Sequence, residues 1–466
     1  MLLYLIYIYM NVTKKNKKKT HSKTRKTNVK QLSFYSKVPE IIKVNGYSLL
    51  ILPTPKKNIT LIDCQLLGGF YLETKEQAGI SHLLEHVVSF AWKKCGVESC
   101  TAYWEKYGVE SNAHTTISTN SYWIKGLSEF FDKMLEYVVD IMLKPHFTQK
   151  RIDKEKTAVE NELKSYINDP SWKLNDAVCK NLFTIEGMRY ANDDKTQLKV
   201  LKTLTKKDLI QYCLDFYTKK NMLFIISTGI PKDKIISKFE RLTAGVHKNE
   251  TYNYQVVKSA ACFQDKKKIL FIKNSRAENT DIEICFPLYM YFDDKDFIYL
   301  DTITEIVGGD LSSLLVEILR EKLELVYGAS CYTITNMCGT VVYISISTLD
   351  KNITKVLEKT FEICKKYSKK LISTNKLLKM KREYKLEVST YYLKDVELIK
   401  AFYTEQFLYQ MHNEKRKIYT LKEKTKKILG LTKNKIRSII MKMFDTKHCL
   451  IVYQGKKKVR FNIDNI

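Results

Sequence analysis

From about residue 40 onward, apolar residues fall into two kinds of run, alternating or continuous stretches of strand length and stretches that repeat every three or four positions. Ile41–Pro53 reads as a hairpin turning at Asn45-Gly46, a pair suited to left-handed backbone at both central positions. Thr60–Leu72 reads as a strand and Ser81–Trp92 as a helix. Ser111–Leu127, rich in Thr, Ser, Tyr and Ile, reads as two strands. Phe130–Leu143 and Thr148–Tyr166 read as helices, the second ending before Asp169-Pro170. Strands and helices mix without regular βαβ alternation, which predicts an α+β fold.

One internal repeat is visible. Leu204-Thr205-Lys206 opens a helical stretch to Tyr217, followed by the apolar run Met222–Ile226. Leu431-Thr432-Lys433 opens another to Phe444, followed by Cys449–Tyr453, an offset of 227 residues. That offset divides the chain into two similar halves, each expected to be a mainly antiparallel sheet with helices packed on it. The polar stretch His247–Ser259 is the best linker. The expected organisation is a basic, disordered arm at 1–39, an N-terminal α+β domain at 40–244, a linker at 245–262 and a C-terminal α+β domain at 263–466.

Composition changes this picture little. The 466 residues are 44% hydrophobic and 12% aromatic, enough for large cores despite a net charge of +28. Much of that charge sits in residues 1–39, with ten Lys/Arg and no acid, and in 413–460, with sixteen basic residues and three acids. No nucleic-acid motif accompanies it, so it speaks to solubility, and no specific nucleic-acid partner is expected. Apolar Met1–Met10 precedes the lysines, the reverse of a secretory signal. The run to Lys37 reads as a solvated arm or, with Arg25 its one arginine, as a transit peptide. Eleven scattered cysteines with no CxxC exclude zinc-ribbon and disulfide-scaffold readings. They point to reduced thiols in a reducing compartment, cytoplasm or mitochondrion. No run of 18 apolar residues is present, so no membrane span is expected.

The chemistry lies in His82-Leu83-Leu84-Glu85-His86, an H-x-x-E-H sequence on a predicted helix. Residues i and i+4 share a face, so two imidazoles can take adjacent corners of a zinc tetrahedron. Glu85 lies on nearly the same face and can reach a metal-bound water without being a ligand. A third protein ligand is wanted, and the helix containing Glu155, Glu160 and Glu162 is the obvious donor. Glu155 and Glu162 are two turns apart on one face, while Glu160 points elsewhere. His114 is a further candidate to approach substrate.

These residues resemble the pitrilysin, insulinase and mitochondrial processing peptidase family of zinc peptidases. The match runs through Glu73–Phe90, Asn112-Ala113 and Arg151–Pro170, then through Ile306–Ser313 and from Arg320 to Tyr327. The resemblance implies that Glu162 is the third ligand of one Zn²⁺ per chain and that Glu155 supports the catalytic site from behind the ligands. It implies that Glu85 is general base and then proton donor. It implies that Asn112 and Ala113 mark the strand edge where peptide adds, and that Arg320 and Tyr327 hold substrate backbone. Glu324 stands where the family usually has Gly. The chain would be half of a clam-shell, two chains enclosing a peptide. Because one chain holds both the zinc motif and the Arg…Tyr pair, a homodimer is expected, with a heterodimer with a related subunit as the alternative. The expected function is a zinc metalloendopeptidase. A noncatalytic assembly subunit of the same fold and a basic nucleic-acid-binding protein are the competing readings.

Overall fold

The structure is a computed structural model that describes residues 36–54, 58–95, 100–246, 248–249, 262–291, 294–392, 396–412 and 417–463. Residues 1–35 of the basic arm and most of the expected linker lie outside the described residues. No described helix is long and apolar enough to cross a membrane.

The fold is α+β, with two sheets. The first contains β1 (Ile41–Val44), β2 (Tyr47–Pro53), β3 (Ile59–Leu67), β4 (Glu110–Thr115), β5 (Thr119–Leu127) and β6 (Met222–Thr228), in the order β1-β2-β6-β3-β5-β4. The second contains β7 (Lys268–Lys273), β8 (Thr280–Leu288), β9 (Val326–Asn336), β10 (Gly339–Thr348) and β11 (Leu450–Gly455), in the order β7-β11-β8-β10-β9. Leaving out β1, the two sheets use the same permutation: first strand, fifth, second, fourth, third. In both, only the first and fifth strands run parallel. The 227-residue repeat therefore reflects two equivalent sheets. Thr205 and Thr432 each cap the repeated helix by accepting a backbone N–H three residues on.

The Asn45-Gly46 hairpin is present, with φ of +50° and +84° at the two turn residues. Two elements are shorter than the sequence suggests. The strand expected to reach Leu72 stops at Leu67, because Gly69 turns left-handed (φ +56°) against the Thr116 carbonyl, where a Cβ would lie 2.1 Å from the oxygen. The helix expected to reach Trp92 stops at Ser89, and the Trp92 indole turns instead to Asp140 at 3.1 Å. The expectation of uniformly reduced thiols is corrected at one pair. Cys95, at the end of the turn Lys93–Cys95, and Cys100, the first residue of the helix Cys100–Glu105, form a disulfide with their Cα atoms 5.1 Å apart. The other nine cysteines are buried and form no disulfide.

Each sheet buries its outer face under helices of its own half. The inner faces share a third core. The helix Pro170–Leu182 follows the first-half motif yet packs on β11 and β8 of the second sheet. The helix Val396–His412 comes from the second half and packs on β6 and β3 of the first. Leu174, Val178 and Leu182 of the former join Ile399, Tyr403 and Phe407 of the latter in that core.

Candidate metal centre

The helix Ile80–Ser89 buries Ile80, Leu83, Leu84, Val87 and Val88, a stripe at helical spacing that anchors it in the first core. Its start is fixed by Glu73, whose buried carboxylate accepts the backbone N–H of Gly79 at 2.7 Å and of Ser81 at 2.8 Å. With the apolar stripe held inward, His82, Glu85 and His86 are turned to the other side. The helix Gln149–Tyr166 is capped by Thr148, anchored by Ile152, Val159 and Leu163, and packs against the first helix.

Between the two helices, His82 Nε2 and His86 Nε2 each lie 3.5 Å from Glu162 Oε2. One donor atom from each of the three falls within 4.8 Å of the others. His86 Nδ1 faces Glu155 Oε2 at 3.5 Å, and Arg151 lies 3.5 Å from the other Glu155 oxygen. Glu155 thus touches the back of His86 rather than the ligand cluster. Glu160 turns away and pairs with Lys164 at 2.8 Å. Burial opposes a charge on His86, but its hydrogen bonds with Glu155 and Glu162 and the nearby Glu85 carboxylate raise it to about 9. Hydrogen bonds from His82 and His86 hold Glu162 well below the usual carboxylate range. Glu85 is 9% exposed, and its buried Oε2 has no hydrogen-bond partner among the described residues. Two imidazoles, one carboxylate and an idle buried carboxylate oxygen beside them fit a divalent cation and a proton acceptor.

β4 is the free edge of the first sheet and packs against the His82 helix, with the Thr115 hydroxyl donating to the Ser81 carbonyl at 3.4 Å. Asn112 is exposed, and its side-chain oxygen accepts the Ala113 N–H at 2.8 Å. His114 shares the Asn112 face of the strand. Burial pushes its imidazole down, while Asp63 and Glu85 pull it up. Asp63 and Asn112 sit on either side of Trp123 in one row across β3, β5 and β4.

Arg320 and Tyr327 are in the other half. Arg320 lies beside the Glu321 carboxylate at 3.6 Å, and Tyr327 is 57% exposed on the edge strand β9. Among the described residues no hydrogen bond, ion pair or ring contact joins either to His82, Glu85, His86 or Glu162. Glu324, between them, has a left-handed backbone with φ +50°.

Sequence reasoning missed three supporting groups. Glu73 caps the His82 helix from six and eight residues upstream, not at capping-box spacing. Tyr166 donates to Glu162 Oε1 at 2.9 Å, and its i+4 position was a readable signal. Lys400 reaches Asp63 at 2.7 Å across 337 residues, for which no local signal exists.

Residues 54–191 match the family described as Insulinase (Peptidase family M16), and residues 203–384 match the description Peptidase M16 inactive domain. An uncharacterized zinc protease of Rickettsia felis is 25% identical over 337 residues, covering 68% of this chain and 78% of that one. A crystal structure of a protease from Helicobacter pylori superposes with a TM-score of 0.78 at 18% identity, over 90% of this chain and 100% of that one. A structure from Pseudomonas fluorescens, titled peptidase M16 inactive domain, gives 0.78 at 14% identity over 91% and 99%. The equivalent sheets and the His82, His86 and Glu162 cluster agree with what those two matches say together: the chain belongs to the insulinase family, peptidase family M16.

Proposed function

We propose that the chain is a zinc-dependent metalloendopeptidase that hydrolyses peptide bonds in peptides or unfolded segments. The observation that carries this reading is the convergence of His82 Nε2, His86 Nε2 and Glu162 Oε2 beside the unpartnered Oε2 of Glu85. Three protein ligands leave a fourth position of a zinc tetrahedron open, the pattern of catalytic rather than structural sites. When bound, Zn²⁺ supplies Lewis acidity to the scissile carbonyl and acidifies the attacking water. Glu85 takes that water's proton and returns it to the leaving amine. Glu155, at His86 Nδ1, leaves Nε2 as the donor atom. An extended peptide adds to the free edge of β4 near Asn112 and Ala113, where backbone pairing tolerates many side chains.

In this reading the zinc domain spans 40–244 and the substrate-binding domain 263–466. Arg320 and Tyr327 serve the zinc site of a second copy, so the working unit is a homodimer with two composite sites. Mixing Glu85→Gln chains with Arg320→Ala chains tests this. Each alone is expected to be nearly inactive, and exchanged dimers should recover activity from the one site intact in both parts. No recovery despite demonstrated subunit exchange rejects the composite site.

A noncatalytic subunit is the second reading, favoured by the inactive-domain description of residues 203–384 and of the Pseudomonas fluorescens relative. The complete ligand set weighs against it. A peptide-library digest with wild type and Glu85→Gln decides. Wild type should show chelator-sensitive cleavage, and Glu85→Gln should keep zinc while losing about 10²–10⁴-fold in turnover. A zinc-loaded wild type that cleaves nothing supports the noncatalytic reading.

A further inference from the structure

Glu162 does not face the histidines unaided. While its Oε2 lies 3.5 Å from both Nε2 atoms, its Oε1 accepts a 2.9 Å hydrogen bond from the Tyr166 hydroxyl, one turn along the same helix. Tyr166 is itself clamped. Its ring stacks on Trp172 with centroids 4.4 Å apart and 13° between the planes. Trp172 belongs to the next helix, and its indole N–H donates to the Asp194 carboxylate at 2.8 Å and to the Asn192 carbonyl at 3.1 Å. Asp194 is buried. Asp169 starts that helix by accepting the backbone N–H groups of Ser171 and Trp172, which fixes the indole relative to the end of the Glu162 helix.

We propose that Tyr166, backed by Trp172 and Asp194, is a positioning residue that makes Glu162 a one-oxygen ligand. The inference rests on the zinc reading above. A carboxylate can bind a metal through one oxygen or both. With two histidines already present, a second Glu162 oxygen would occupy the position that water and substrate need. The Tyr166 O–H engages that second oxygen while Oε2 is left to the histidines. A tyrosine that merely packed there would be replaced without consequence by phenylalanine, which keeps the stacking on Trp172.

The test compares the full chain with Tyr166→Phe and Trp172→Leu. Zn²⁺ affinity is measured by chelator competition, and each protein is also loaded with Co²⁺, whose visible absorption reports coordination number. Tyr166→Phe should lose about 10-fold or more in Zn²⁺ affinity, the size expected for losing a partner of a metal ligand. Its cobalt absorption should weaken as the site gains an oxygen. Trp172→Leu keeps the hydroxyl but removes the plate behind it, and should shift both readouts the same way by less. Wild-type affinity and spectrum in Tyr166→Phe overturn the inference and leave the zinc reading standing. A wild type that binds neither metal overturns the zinc reading and the inference with it. If thermal melting shows Tyr166→Phe to be unfolded, an unchanged cobalt spectrum in Trp172→Leu overturns the inference.

Discussion

Glu324 holds a left-handed backbone at the turn from the Arg320 segment into β9. The turn is closed by the Glu324 N–H on the Arg320 carbonyl at 3.2 Å and the Leu325 N–H on the Leu319 carbonyl at 2.8 Å. A Cβ in that conformation crowds its own carbonyl, at about 1–2 kcal/mol. Glu324→Gly removes the crowding but frees the unfolded chain, which offsets about 0.4–1 kcal/mol. The net expectation is a gain of up to about 1.6 kcal/mol, read as a higher urea midpoint at unchanged slope. A lower midpoint would mean that the Glu324 side chain contributes more than its backbone costs. The residue scale is also where the sequence was most legible. A helix turns i and i+4 to one side whatever surrounds it, so His82 and His86 could be paired from spacing alone. Tyr327 could be named but not placed, because its position depends on which strand lies at the sheet edge.

At the scale of elements, the two sheets carry matching carboxylates with different fates. Asp63 on β3 stands opposite Ile225 of β6, and Glu283 on β8 stands opposite Val452 of β11. Asp63 meets Lys400, whereas Glu283 has Ser345 at 2.6 Å and no Lys or Arg paired with it among the described residues. Burial, with Asp281 adding to it and Ser345 opposing it, raises Glu283 from 4.5 to about 8. Below pH 4.5 both folded and unfolded chains hold this proton. Between 4.5 and about 8 only the folded chain does, so its contribution to stability falls as pH rises through that window and is constant above it. Glu283→Gln should flatten this slope, and melting curves from about pH 5 to about pH 8 check it. Equal slopes in both proteins would place the titration elsewhere. The hairpin, the early helices and the repeat were readable because each is written in local periodicity. Strand order was not, since runs such as Met222–Thr228, buried throughout, look alike whether their neighbours run parallel or antiparallel. The helix Val396–His412 was equally opaque, because it buries Leu408 in the shared core as well as the Ile399, Tyr403 and Phe407 stripe, so its apolar positions are not confined to one face.

At the scale of the molecule, the Asp63–Lys400 pair ties that helix to the first sheet. Asp63 is fully buried and also accepts from Ser121 at 2.7 Å and Gln65 at 2.8 Å. Lys400→Met leaves the carboxylate without its cation, at about 3–5 kcal/mol. Adding Asp63→Asn should restore most of that loss, and a double-mutant cycle in denaturant measures the coupling. Additive losses would show that the two groups act independently. The crossing of Pro170–Leu182 and Val396–His412 also sets a timetable during synthesis. Once β6 ends at Thr228, the inner face of the first sheet, with Leu50, Leu52, Leu223 and Ile225, waits for a cover that is not complete until residue 412 has been made. At about 5–20 residues per second that wait is roughly 10–40 s. For that interval the nascent first half is a sticky, unfinished object on the ribosome, and its yield in a cell depends on what shields it until the far end of the chain arrives.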